Sequence, residues 1–242
     1  MTQGPEPVRL VARAPLSAPS VEQLIWPDPS HGWEAREGVE HLWHLGRWLR
    51  GIHDNPDRPA QAPAGDGPVT LLEEVRVLLE ERLGGTDGDP IDRLHWTSLH
   101  EWAARLAEGG AVAHGRLGLD GVLVESADDG SPALVVPAPG GLATADPSVD
   151  VGGVVGDLVE LTHRSRGEGR DPAAYQRLLT AFLTGYRGIT GGPEPAADLD
   201  VYRAAALRVA GRSAARTDPA DAGLDLEIAK RLVEHCWALA DA

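Results

Sequence analysis

Apolar residues recur with a helical period along most of this 242-residue chain. Between Glu37 and Ile52 they fall on every third or fourth position, and the proline of His53-Asp54-Asn55-Pro56 ends the helix. Thr70, followed by Glu73, predicts a capping box at the start of a helix that stops at Gly84-Gly85. The same pattern predicts helices over 90–108, over 150–164 with Asp150 as N-cap, from Asp171-Pro172 onward, over 198–212 and over 224–240.

The period changes in the middle of the chain. Val112–Gly115 predicts a short strand that enters a loop, and Gly121–Glu125 and Ala133–Val136 flank a turn-rich segment, which predicts a β-hairpin. The Pro-rich first 38 residues contain two apolar patches, Val8–Val11 and Leu24–Trp26, where we predict short strands or irregular structure. The expected fold is therefore mainly α with a small β-hairpin, without a parallel sheet.

The charge balance narrows the class of partner. Asp and Glu number 37 against 22 Lys and Arg, giving a formal net charge of -15. Nucleic acids and anionic membranes need clustered cations, so we expect neither as a partner, and a cationic peptide is the easier ligand. No apolar run approaches the ~20 residues of a membrane helix, and no secretory signal is visible, so we expect a cytoplasmic protein.

Rare residue types add further limits. Cys236 is the only cysteine, which excludes an internal disulfide, and its apolar neighbours favour a buried thiol over a nucleophile. Lys230 is the only lysine and Asn55 the only asparagine. This bias is typical of a GC-rich bacterial genome such as that of an actinobacterium.

The segment from His114 to Asp150 resembles the catalytic segment of the aminoglycoside phosphotransferase family, small-molecule kinases with a protein-kinase-like fold. That family reads roughly HGDLHxxNVLV, a hairpin, a metal-binding Asp and then GDPxxD, whereas this chain reads HGRLGLDGVLV, the hairpin and ADPSVD. The resemblance covers about residues 8–215. It implies a helical kinase-like C-lobe over 39–242, a remnant N-lobe or hinge segment over 1–38, and the absence of most of the N-lobe.

The resemblance fails at the reactive positions. Phosphoryl transfer needs a carboxylate to orient the attacking hydroxyl, metal ligands, and a cation on the ATP phosphates. Arg116 stands at the position of the catalytic Asp, Gly121 at that of the metal-binding Asn, and Pro137 on or beside the second metal ligand. No lysine precedes Lys230. We therefore expect no appreciable MgATP binding and no cofactor.

The retained segment supplies the candidate site residues. Asp146 and Asp150 resemble family positions that organise a loop and cap a helix. His114 is the candidate for proton transfer because an imidazole titrates near neutrality, although its family counterpart bonds the loop backbone instead. Arg116 could bind an anion or pair with a nearby Asp, and Asp120 could be a displaced carboxylate or a solvated loop acid.

Two other residue sets suggest sites of their own. A zinc site on His41 and His44, with His95 and His100 elsewhere, lacks a closing ligand motif, so we expect no metal. Tryptophan is frequent for this length, and two or three exposed rings could form a peptide groove, although core positions are favoured. The tryptophans are Trp26, Trp33, Trp43, Trp48, Trp96, Trp102 and Trp237.

Three functional hypotheses follow. The first is a catalytically degenerate, pseudokinase-like protein that binds a peptide or partner enzyme, as an accessory or cyclase-type component of bacterial lanthipeptide-like natural-product biosynthesis. The second is a small-molecule kinase with an unorthodox metal set drawn from Asp120, Asp146 or Glu125, and the third is a structural interaction module. Without an N-lobe, Leu24–Trp26 and Trp33 would face water, which predicts a homo- or hetero-oligomer.

Overall fold

The helices predicted from the apolar period are present in the computed structural model of the chain. The structure describes residues 7–15, 17–26, 35–54, 71–83, 91–126, 132–138, 141–188 and 195–241. In chain order, the elements in these residues are β1 (Val8–Val11), α1 (Val21–Ile25), α2 (Ala35–His53), α3 (Leu71–Leu83), α4 (Arg93–Ala107), β2 (Ala111–Ala113), β3 (Leu123–Ser126), β4 (Pro132–Pro137), β5 (Ala143–Ala145), α5 (Ser148–Gly167), α6 (Ala173–Arg187), α7 (Pro195–Ala215) and α8 (Pro219–Ala240). Thr70 and Gly84-Gly85 lie outside the described residues.

The chain divides into two compact units, each built from three stretches of sequence. The first unit takes its described residues from 1–68, 117–142 and 161–192, and the second from 69–116, 143–160 and 193–242. The predicted division at residue 38 refers to lobes of a kinase, and it stays a prediction.

A three-stranded sheet in the order β1-β4-β3 belongs to the first unit. Strands β3 and β4 pair antiparallel with Leu123 opposite Val135, which confirms the predicted hairpin. Strand β1 runs parallel to β4 with Val8 opposite Leu134, so the sheet is mixed and contains a parallel pair that the prediction of a fold without a parallel sheet did not foresee. Local periodicity marks β1 as extended but contains no information on which distant strand it joins.

The second apolar patch of the N-terminal segment is helical, which corrects the prediction of a strand or irregular structure. Ser20 Oγ accepts a hydrogen bond from the Gln23 N–H, and Gln23 Oε1 accepts one from the Ser20 N–H, at 3.2 and 3.0 Å. This capping box starts α1. The pattern Ser-x-x-Gln was the signal in the sequence that the prediction overlooked.

The apolar residues of this patch are better covered than expected. Ile25 is only 2% exposed, so the expectation that it faces water is wrong. Trp26 is half-buried, and the Arg170 guanidinium lies 5.6 Å from the centre of its ring. Trp33 lies outside the described residues, and the oligomeric state stays a prediction.

Helices α2 and α6 of the first unit approach each other at two glycines. A Cβ on Gly46 would lie 2.2 Å from the Phe182 carbonyl oxygen, and one on Gly185 would lie 2.1 Å from that of Trp43. Real Cβ atoms essentially never come so close, so both positions require glycine for the backbones to pack at this distance.

The second unit combines helices α3, α4, α7 and α8 with a two-stranded sheet. Strands β2 and β5 pair antiparallel, Ala111 opposite Ala145, and residues 148–160 of α5 follow directly. A Cβ on Gly152 of α5 would lie 2.4 Å from the Cβ of Ala204, so α5 packs closely on α7. Among the helices described, none is long and apolar enough to cross a membrane.

Candidate functional site

The loop that follows β2 is held by a buried carboxylate. The N–H groups of His114 and Gly115 donate to the two Asp150 side-chain oxygens, at 2.6 and 2.7 Å. Gly115 has a φ of +82°, a conformation that L side chains rarely adopt, and its carbonyl oxygen accepts a hydrogen bond of 2.9 Å from the Leu71 N–H. Successive N–H groups in such a turn form a small concavity that binds anions, and Asp150 fills it here.

Of the two candidate loop-organising aspartates, Asp150 holds the backbone of the loop at His114 and Gly115, and Asp146 lies at the start of α5. Helix α5 begins at Ser148, so Asp150 lies in its first turn, and the prediction of an N-cap at Asp150 is wrong. Asp146 Oδ1 instead accepts from the Ser148 N–H at 2.8 Å, at the start of the helix. The two carboxylates are four residues apart, and the sequence alone contains no signal that assigns one to the helix and the other to the loop.

Arg116 lies at the surface of the second unit. Its side chain is 57% exposed, and Nη2 is 2.9 Å from Oε1 of Glu74 in the first turn of α3. Of the two interpretations offered by the sequence, the structure shows the ion pair, with a glutamate in place of the expected aspartate. Exposed pairs of this kind contribute only about 0–1 kcal/mol to stability.

His114 and Asp120 are separated by the division into units. His114 belongs to the second unit with Arg116, Asp146 and Asp150, and its backbone N–H is bonded to Asp150. Asp120 belongs to the first unit, where it is exposed in the turn that precedes β3. The structure therefore brings four of the five candidate site residues into one unit.

The histidines considered for zinc have other contacts. His41 Nδ1 lies 2.6 Å from the Glu37 carbonyl oxygen, and His41 Nε2 lies 3.3 Å from that of Pro132. His95 Nδ1 lies 2.7 Å from Asp92 Oδ1. Within the described ranges, no group of three or more His, Cys, Asp or Glu side chains is arranged to hold a metal ion.

Cys236 and the tryptophans that the structure describes are buried or half-buried. Cys236 is buried, and burial raises the pKa of its thiol to about 12, which confirms the interpretation as a buried thiol. None of the tryptophans that the structure describes is exposed: Trp96 and Trp102 are buried, and Trp26, Trp43, Trp48 and Trp237 are half-buried.

A chain of buried ion pairs in the second unit was missed by the sequence analysis. Arg208 donates to both Asp157 carboxylate oxygens, at 2.9 and 3.2 Å. Arg212 bridges Asp157 and Glu160 at 3.0 Å each, and Arg216 pairs with Glu160 and, at 2.8 Å, with Asp225. The spacing of Arg208, Arg212 and Arg216 by four residues, with the last just beyond the end of α7, was the available signal.

Comparison with known proteins gives similarity at the level of structure only. No family model matches the chain, and no curated protein matches its sequence. A glucosamine kinase is 19% identical with a TM-score of 0.47, covering 88% of this chain and 58% of that one. Glucosamine kinase in complex with glucosamine, ADP and inorganic phosphate is 20% identical, covering 86% and 58%, with a TM-score of 0.47. Choline kinase from Cryptosporidium parvum Iowa II is 11% identical, covering 93% and 68%, with a TM-score of 0.42. This chain thus spans less than two thirds of the length of the glucosamine kinases.

Proposed function

We propose that this protein is a degenerate, kinase-like scaffold that binds a peptide or a partner protein and does not transfer phosphate from ATP. One observation carries the proposal. Asp150 still holds the backbone of the loop at His114 and Gly115, while Arg116, at the position of the expected catalytic carboxylate, pairs with Glu74. The supporting structure of the loop is retained and its reactive group is replaced.

The replaced residues argue against phosphoryl transfer. A guanidinium stays protonated in proteins, so Arg116 cannot accept the proton of an attacking hydroxyl. Neither Gly121 nor Pro137 offers a side-chain metal ligand, and the only lysine, Lys230, is on α8. Groups of this kind each contribute several kcal/mol to the stabilisation of a transition state, so their combined loss removes the ordinary reaction.

The retained loop supports binding. Three hydrogen bonds from His114, Gly115 and Leu71 fix its backbone before any ligand arrives, which lowers the entropic cost of association. The net charge of -15 favours a cationic peptide through electrostatic steering. We propose an accessory or cyclase-type role beside a partner enzyme that modifies a lanthipeptide-like precursor in the cytoplasm, with His114 as the proton-transfer group of any reaction.

A nucleotide assay separates this function from that of a kinase. We expect no thermal shift and no calorimetric heat with MgATP, since the chain lacks the clamping lysine and the two metal ligands that would compensate the triphosphate charge, and Arg116 is paired with Glu74. Micromolar affinity for MgATP without a partner would contradict the proposal and favour a small-molecule kinase with an unorthodox metal set.

Peptide binding is tested by anisotropy with two labelled peptides of equal length, one rich in lysine and arginine and one rich in glutamate and phosphoserine. Arg116→Glu reverses one charge at the loop. It should therefore raise the affinity for the basic peptide and lower the affinity for the acidic one, each by about tenfold. His114→Ala should weaken both. Arg177→Glu, at an exposed position of α6, is the matched control. Unchanged affinities in both loop variants, with intact circular dichroism, would place the binding surface elsewhere.

A further inference from the structure

The backbone of the loop is already occupied by an internal anion. The two N–H groups that could hold a phosphate or a carboxylate donate to Asp150, which is fully buried, and the Gly115 carbonyl is bonded to Leu71. An anionic ligand would therefore have to displace Asp150 to use this concavity. Displacing Asp150 would break two short hydrogen bonds to a buried carboxylate, which is costly. The backbone of the loop therefore does not favour anionic ligands.

The one cation of the loop is also engaged. The hydrogen bond from Leu71 to Gly115 fixes the first turn of α3 against the loop, and this places Glu74 beside the Arg116 guanidinium. Glu73 adds a second, exposed carboxylate in the same turn. The pair itself stays accessible to ligands, with 57% of the Arg116 side chain and 37% of the Glu74 side chain exposed.

We infer that Glu74 determines the charge preference of the peptide site, by neutralising Arg116 so that the loop accepts basic peptides and disfavours acidic or phosphorylated ones. This inference rests on the proposed function. Removing the Glu74 charge leaves the Arg116 guanidinium available to anions, whereas removing the Arg116 charge leaves the Glu74 carboxylate available to cations. The ion pair is at the surface, so either change alters binding with little effect on folding.

The experiment measures the affinity of the two labelled peptides for the wild type, Glu74→Gln, Arg116→Gln and the control Glu81→Gln. Glu81 is an exposed glutamate on the same helix, about two turns after Glu74. We expect the wild type to prefer the basic peptide. Glu74→Gln should lower the affinity for the basic peptide and raise the affinity for the acidic one, each by about five- to tenfold. Raising the salt concentration should reduce these differences. Arg116→Gln should raise the affinity for the basic peptide, and Glu81→Gln should bind both peptides as the wild type does.

The failure of this inference can be distinguished from the failure of the proposed function. If neither peptide binds the wild type or any variant, the proposed function is wrong. If the wild type binds the basic peptide and Glu74→Gln behaves like Glu81→Gln, peptide binding stands and the role of Glu74 is wrong. Tighter binding of the acidic peptide by the wild type would also overturn the inference while leaving peptide binding in place.

Discussion

Asp150 is the residue on which the geometry of the candidate site depends. Its two oxygens accept from consecutive N–H groups, and Asp150 itself is fully buried. A buried donor without a partner costs about 1–3 kcal/mol, and more when its partner was charged. The identity of this residue therefore affects both stability and the shape of the loop.

Asp150→Ala should lower the free energy of unfolding by about 2–5 kcal/mol, because the N–H of buried Gly115 and that of half-buried His114 lose their acceptor together. Urea denaturation measures the change. Asp150→Asn should cost less, since its one amide oxygen can still accept from one of the two donors. Glu101→Gln, at an exposed position of α4, should change stability by no more than about 0.5 kcal/mol. An Asp150→Ala protein as stable as the wild type would show that the two hydrogen bonds to Asp150 are not needed for stability.

The residue scale also shows where the sequence is insufficient. The sequence predicted that Asp146 and Asp150 lie near the start of a helix. It did not predict which of them bonds the helix terminus and which bonds the loop. That division depends on the loop at His114 and Gly115, which lies more than thirty positions away in the chain and meets α5 only in the folded protein. The ion pair between Arg116 and Glu74 on α3 was not predicted either, because these residues are also distant in the chain and meet only in the folded protein.

At the scale of elements, periodicity and capping predict the helices well. The helix predicted over Glu37–Ile52 is observed as α2, Ala35–His53, and the hairpin is observed as β3 and β4. Amphipathic helices are set by local spacing, which a sequence shows directly. The short helix α1 and the parallel partner of β1 were not predicted, because one depends on a cap next to a brief apolar run and the other on a distant strand.

The contact between α2 and α6 provides a test of packing at this scale. Gly185→Ala and Gly46→Ala should each destabilise the protein by about 1–3 kcal/mol or more, because the added methyl group meets backbone that cannot move aside. Thermal or urea denaturation measures the loss. The control is Gly51→Ala in the same helix, where a Cβ meets nothing within 4 Å.

The control should act in the opposite direction. Alanine is favoured over glycine within a helix, so Gly51→Ala should raise the free energy of unfolding by about 0.5–1 kcal/mol. If Gly185→Ala were as stable as Gly51→Ala, the close approach of the two helices would not exist in solution.

The whole molecule consists of two units whose chain stretches alternate, and this organisation was not visible in the sequence. The fold class, mainly helical with small sheets, followed from local patterns. The two units instead arise from contacts between stretches such as 1–68 and 161–192. The family resemblance predicted the order of helices and strands along the chain. It did not predict which stretches of the chain pack together into each unit.

The buried ion pairs of the second unit make the stability of the molecule depend on pH. Burial raises the pKa of Glu160 from its ordinary value of 4.5 to about 7; Asp225 and Asp157 act in the same direction, and Arg212 and Arg216 act against it. Between these two values the folded protein binds a proton on Glu160 that the unfolded chain releases. The contribution of this proton to stability is therefore full below about pH 4.5 and is lost as the pH rises through about 7.

We expect the wild type to lose up to roughly 3 kcal/mol of stability, attributable to Glu160, between about pH 5 and about pH 8. Glu160→Gln mimics the protonated carboxyl, so it should match the wild type at the acidic end and become more stable than the wild type as the pH rises. Urea denaturation across this range measures both proteins, and taking their difference removes the titration of the histidines that they share. The exposed variant Glu101→Gln should follow the wild type at every pH. Parallel profiles for Glu160→Gln and the wild type would mean that the carboxylate stays ionised throughout, held by Arg212 and Arg216 against the cost of burial.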